Sequence, residues 1–185
     1  MDVELIGIQG IEYIDHAIGL CYDKGDYLDC EKRDKRIKKV ALKHKHSSVL
    51  EFAVFTFDIT ASTKVLLEMT RHRMASYACK SSRYTLNKGE IIFEPTGDEW
   101  VDGLLEQWRQ IIIGQVNVGK SNELTSLMLP QAYQYKWTVM FNARSLKNFL
   151  ELRRAKSAHF HIREVAEEMY NVLPDHVKYL FNEEE

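Results

Sequence analysis

Phe52-Ala53-Val54-Phe55-Thr56-Phe57-Asp58-Ile59-Thr60 alternates with a period of two: Ala53, Phe55, Phe57 and Ile59 share one face, and Val54, Thr56, Asp58 and Thr60 the other. Successive side chains of an extended strand point to opposite sides of a sheet, so the pattern predicts a half-buried strand. A sheet with one apolar face needs a second layer to cover it. Just upstream, Ser48 and Glu51 stand three apart in the manner of a capping box.

Working outward, Ser62 can cap a helix running to about Arg71, with Val65, Leu66 and Met69 inward. Toward the N-terminus, residues 31–45 predict a strongly basic helix with a thin apolar stripe of Ile37, Val40 and Ala41, preceded by a loop at 25–29. Residues 11–22 carry Ile11, Ile14, Ala17, Ile18 and Cys21 at helical spacing, and residues 3–8 read as a first strand. Toward the C-terminus, residues 73–82 read as irregular and 89–94 as a strand. Residues 100–118 form a long amphipathic helix, and 122–128 a short one that stops before Pro130. The aromatic run 133–141 fits helix or strand. Residues 145–154 and 158–172 read as helices. Strands and helices that segregate rather than alternate predict an α+β fold. With no Gly/Ser-rich linker, repeat or low-complexity tract, residues 1–185 read as a single domain.

Composition narrows the class. The 185 residues are 45% hydrophobic and 28% charged, which suits a globular domain with its own core. The 25 Lys and Arg against 27 Asp and Glu leave a net charge of −2, so bulk charge draws the chain neither to nucleic acid nor to membrane. Cys21, Cys30 and Cys79 cannot all pair and form no CxxC, which points to reduced thiols and a cytoplasmic setting. No apolar stretch reaches membrane-spanning length, and Met1-Asp2-Val3-Glu4 lacks the basic and apolar parts of a signal peptide. Eight Lys and Arg between residues 31 and 46 read as a solvated face ahead of a nucleic-acid patch, since Glu31 and Asp34 dilute them. No metal is expected, because neither His44-x-His46 nor His159-x-His161 has a third ligand at suitable spacing.

Chemistry concentrates in Arg71-His72-Arg73-Met74-Ala75-Ser76-Tyr77-Ala78-Cys79-Lys80-Ser81-Ser82-Arg83-Tyr84-Thr85. Arginine forks hold phosphates and planar carbonyl groups bidentately, and serine hydroxyls add short hydrogen bonds. The segment therefore reads as an anion pocket, with a solvated basic loop as the plain alternative. Cys79, near Lys80 and Arg83, reads as structural rather than reactive.

The spacing Arg71-His72-Arg73, seven residues, then Ser81 resembles the RHR-x7-S signature of flavin-dependent thymidylate synthases, the ThyX family. Asn142-Ala143-Arg144-Ser145-Leu146-Lys147-Asn148-Phe149-Leu150-Glu151-Leu152-Arg153 is similar to that family's C-terminal block, and His46-Ser47-Ser48-Val49-Leu50-Glu51 to its HxSxxE segment. The resemblance covers roughly residues 10–170. It implies a ThyX-like fold, with a central mostly antiparallel sheet, flanking helices and a helix-rich C-terminal half. It also implies reductive methylation of dUMP to dTMP, with methylenetetrahydrofolate as carbon donor and FAD and NADPH as cofactors, in a homotetramer. Residue by residue, it implies a dUMP site of Glu68, Arg71, Ser81, Arg83 and Arg153, and FAD contacts from His72, Arg73, Ser76, Asn142 and Asn148. Arg153 would stabilise charge on the uracil carbonyls, and Ser81 would position substrate rather than attack it. The chain departs from the family at Phe52, Ala78, Cys79, Ser126, His159 and His161. Those departures leave two alternatives, methylation or hydroxymethylation of another pyrimidine nucleotide, and a catalytically silent nucleotide-binding relative.

Overall fold

The computed structural model describes residues 1–26 and 29–182. Four strands form one antiparallel sheet: β1 (Asp2–Gln9), β2 (Val54–Ser62), β3 (Ala75–Cys79) and β4 (Gln134–Asn142), in the order β1-β2-β4-β3. The helices are α1 (Ile11–Cys21), α2 (Cys30–Ile37), α3 (Thr63–Met69), the short α4 (Ser82–Thr85), α5 (Glu99–Asn117), the short α6 (Asn122–Thr125), α7 (Ala143–Arg153), α8 (Phe160–Asn171) and α9 (Asp175–Lys178). A π-helical turn, Lys38–Lys43, extends α2, and a 3-10 turn, Ser47–Phe52, leads into β2.

The apolar half of the period-two pattern at residues 52–60 forms the sheet's inner face. Ala53, Phe55, Phe57 and Ile59 are fully buried. Across the ladder Phe55, Phe57 and Ile59 pair with Phe141, Val139 and Trp137 of β4, all buried as well. This register settles the aromatic run as strand from Gln134 onward, because only period two places those three side chains on the covered face. Helices α7 and α8 pack on that face, and Phe181 meets Phe55 edge-on at 5.1 Å.

The fold corrects four expectations. Residues 73–82 are not irregular throughout: Ala75–Cys79 pairs with the open edge of β4 and turns Ala75 and Tyr77 inward. The free edge of a neighbour supplied the order that local propensity did not signal. Residues 89–94 form no strand, only one bridge between Phe93 and Tyr133. The basic helix does not run unbroken to 45, since α2 passes into the π-helical turn at Lys38. Ser48 and Glu51 form no capping box: the 3-10 turn has no side-chain cap, and Glu51 bonds Arg144 instead. The loop expected at 25–29 falls partly outside the described residues.

Gly10 shows how tightly β1 is joined to α1. Its φ is 83°, in the left-handed region, and a Cβ there would lie 2.4 Å from the Phe52 carbonyl oxygen. Gly10→Ala is therefore expected to lose about 1–2 kcal/mol from the backbone conformation alone, and more from the clash with rigid main chain. Chemical denaturation would measure it; an unchanged midpoint would contradict the geometry.

Candidate functional site

Strands β2 and β4 are each followed directly by a capped helix. Ser62 Oγ accepts from Val65 N at the start of α3, and Asn142 Oδ1 accepts from Ser145 N at 2.8 Å at the start of α7. Because Ser62 pairs with Gln134 and Val54 with Asn142, the two helices leave from opposite ends of the strand pair. Their C-terminal ends meet, and the candidate site lies at that meeting point.

Arg153, in the last turn of α7, is held at three points. Its Nε donates to His72 Nε2 at 3.0 Å, Nη1 to Glu68 Oε2 at 3.1 Å, and Nη2 to the Glu68 carbonyl oxygen at 3.1 Å. That carbonyl belongs to the last turn of α3 and has no partner within the helix, so the guanidinium caps it. Tyr77 Oη caps the same helix end by donating to the Met69 carbonyl at 2.8 Å. Burial pushes the Tyr77 phenol up to about 12, so it remains a donor. His72 stacks edge-on against Phe149 at 5.0 Å, which ties the cluster to the core.

Glu68 is buried and faces three cations. Besides Arg153, it accepts from Lys64 Nζ at 3.1 Å and lies 3.5 Å from Arg71 Nη1. Burial alone would push its carboxyl up. The Lys64 hydrogen bond and the charges of Arg71, Lys64 and Arg153 outweigh that effect and hold it below 4.5. Burial, and then the Arg153 charge, push His72 below its ordinary 6.5. A neutral His72 suits the geometry, since its Nε2 must accept from Arg153.

The His72 shift has a sign that can be tested. The unfolded chain takes up the imidazole proton more readily than the folded one. Stability from this group is therefore present above pH 6.5 and is lost as pH falls through the lower folded value. The denaturation midpoint should drop on acidification below pH 6.5, and His72→Gln should flatten that drop. His159, pushed down mainly by burial, adds in the same direction and leaves a residual slope. Parallel curves for parent and variant would contradict the assignment. Glu68 acts in a separate window, below 4.5.

A groove of about 660 Å³ opens over this cluster, lined by Arg71, His72, Arg73, Asn148 and Arg153 among the expected residues. Its size suits a small-molecule or cofactor site. Arg144, which pairs with Glu51 at 2.7 Å, adds another guanidinium, and Met74 and Leu152 add apolar surface. This donor set fits a ligand with both phosphates and a flat ring, such as a flavin dinucleotide or a nucleoside monophosphate. Lys64 and Arg144 were given no role by sequence reasoning. The i,i+4 spacing of Lys64 and Glu68 was the available signal for the first.

Other expected residues lie elsewhere in the chain. Ser81 and Arg83 stand beyond the far end of β3, a strand that alone spans roughly 13 Å. Arg83 pairs there with Glu123 at 3.1 Å. Ser76 is exposed on β3 outside the groove, and Asn142 serves as the cap of α7. Among the described residues no group of three or more His, Cys, Asp or Glu side chains is placed to hold a metal ion. Partial burial pushes the Cys79 thiol up, which disfavours the thiolate form. No helix among the described residues is long and apolar enough to cross a membrane.

Fold and groove together define an α+β protein that gathers guanidiniums from two helix ends around one cleft. The model of the family described as thymidylate synthase complementing protein (Thy1) matches residues 9–177. A flavin-dependent thymidylate synthase from Wolinella succinogenes is 34% identical, covering 98% of this chain and 97% of its own, and one from Campylobacter jejuni is 33% identical over 98% and 96%. The crystal structure of Helicobacter pylori ThyX complexed with FAD and dUMP superposes with a TM-score of 0.86 at 29% identity, covering 98% of each chain. The chain belongs to the family of flavin-dependent thymidylate synthases.

Proposed function

We propose that this chain methylates dUMP to dTMP, taking the carbon from methylenetetrahydrofolate, and that it does so in the cytoplasm as a homotetramer of single-domain subunits. The observation that carries the reading is the three-point grip on Arg153 at the edge of a groove rich in guanidiniums. Charge develops on the uracil carbonyl oxygens when the ring is attacked. A guanidinium already oriented by Glu68 and His72 meets that charge without reorganising. Arg71 is assigned to the nucleotide phosphate and His72, Arg73 and Asn148 to FAD, a reading supported by their sharing one groove. FAD, when bound and reduced by NADPH, would supply the hydride.

Ser76 and Asn142 are proposed as secondary FAD contacts. In this reading Ser81 and Arg83 complete the dUMP site by positioning the nucleotide, and, lying beyond β3, they are supplied by a second copy of the chain. Helix α5 supports such self-association. Trp100, Leu104, Trp108 and Ile111 recur at helical spacing along one exposed apolar face, within which only the indole N–H of Trp108 is engaged among the described residues, donating to the Met128 carbonyl at 2.8 Å.

The test is release of tritium from position five of labelled dUMP by purified protein supplied with methylenetetrahydrofolate, NADPH and FAD. Turnover with flavin absorbance in the purified protein is the expected result. Protein that stays colourless after added FAD and releases no tritium would overturn the reading. It would favour the silent nucleotide-binding alternative.

A further inference from the structure

We propose that the chain carries a second anion site, between the C-terminal end of α1 and α2, and that this site takes a nucleoside triphosphate. A groove of about 510 Å³ lies there and shares no lining residue with the groove at Arg153.

Three observations converge on it. The first is uncompensated charge. Arg36 is tied to Asp15 and to the Gly25 carbonyl, and Lys35 to Glu31. Among the described residues, however, no ion pair or hydrogen bond reaches the ammonium groups of Lys24, Lys32 and Lys39, which line the groove. The second is the backbone that aligns them. Lys32 and Arg36 stand four apart in α2 and Lys39 follows three further on in the π-helical turn, which bonds His44 N to the Lys39 carbonyl at 3.1 Å. Residues five apart are thereby brought into line, so His44 continues the row where an uninterrupted α-helix would place Lys43. The third is strain. Asp23 and Lys45 have φ of 52° and 57°, and they flank Tyr22, Lys24 and His44 of the groove. Such conformations persist where surrounding structure imposes them and cluster at binding sites.

The ligand follows from the lining. A row of ammonium groups without counter-anions matches a chain of phosphates. Val40 and the half-exposed Tyr22 ring form an apolar shelf of a kind that a base can cover. The volume lies within the range for a compact ligand. A solvated basic helix face would need neither the shelf nor the π turn.

Calorimetric titration of the full chain with ATP, in the presence of saturating dUMP, tests the proposal. Saturating FAD is added with the dUMP, so that both subsites proposed for the first groove are filled and failure here stays distinct from failure of the methylation reading. ATP should bind, and Lys32→Gln with Lys39→Gln should weaken it at least about tenfold, while Lys32→Arg with Lys39→Arg keeps it. Tyr22→Ala should weaken ATP but not tripolyphosphate. Thermal melting checks that each variant is folded. Absence of binding at millimolar ATP, or equal binding by the Gln variant, would overturn the site. Tripolyphosphate binding as tightly as ATP would overturn the base shelf. Tighter binding of single-stranded DNA than of ATP would overturn the small-ligand assignment in favour of a nucleic-acid surface.

Discussion

Arg153→Ala is expected to lower kcat by about 10²–10³-fold, the typical loss when one preorganised donor to developing charge is removed. The value of kcat/KM should fall by a similar factor, because the interaction strengthens only as charge appears on the ring oxygens. Arg153→Lys should rescue little. An ammonium is a single point, whereas the native fork donates in different directions to His72, the Glu68 carboxylate and the Glu68 carbonyl. Steady-state kinetics with dUMP, alongside circular dichroism to verify folding, would measure both. A rate unchanged in the alanine variant would remove Arg153 from the chemistry.

The second large effect is one of stability. Phe149 is fully buried, packs 5.3 Å from Phe141 of the sheet and meets His72 edge-on. Phe149→Ala should cost about 3–5 kcal/mol, the usual range for emptying an aromatic core position. Native proteins hold only about 5–15 kcal/mol in all, so this is a large part of the total. For a chain of this length each kcal/mol corresponds to about 2–4 °C in Tm. Urea denaturation and thermal melting would report it. The substitution also removes the wall that orients His72, so dUMP turnover at a temperature where the variant stays folded should fall as well. A normal melting point would mean that the α7 core is not as packed as described.

What the sequence made legible follows physical lines. Strand β2 was readable because one face is covered and the other is not, which writes a period of two into the chain. Helices α1, α3, α5, α7 and α8 were readable from caps and apolar spacing. Strand β3 was not, because its order comes from pairing with β4, a contact far along the sequence that no local pattern records. The aromatic run in β4 stayed open between helix and strand until the register placed Phe141, Val139 and Trp137 opposite β2.

The site divides in the same way. Arg71, His72 and Arg73 announced themselves by motif, but the contact between Arg153 and Glu68, across 85 positions, depends on how two helices converge. His72 was expected against the flavin. The structure shows it bonded to Arg153, a contact that spacing alone could not reveal. Asn142, expected at the cofactor, is committed through its side-chain oxygen to starting α7.

Helix α5 contributes a single fully buried side chain, Ile112, to a small satellite cluster with Leu86, Ile91 and Tyr133. The sheet is anchored by a far larger core. Opening of α5 should therefore cost much less free energy than opening of β2, and its backbone amides should trade hydrogen for deuterium well before those of the strand. If the tryptophan-lined face is covered in an assembly, dilution should accelerate exchange in α5 and leave β2 untouched.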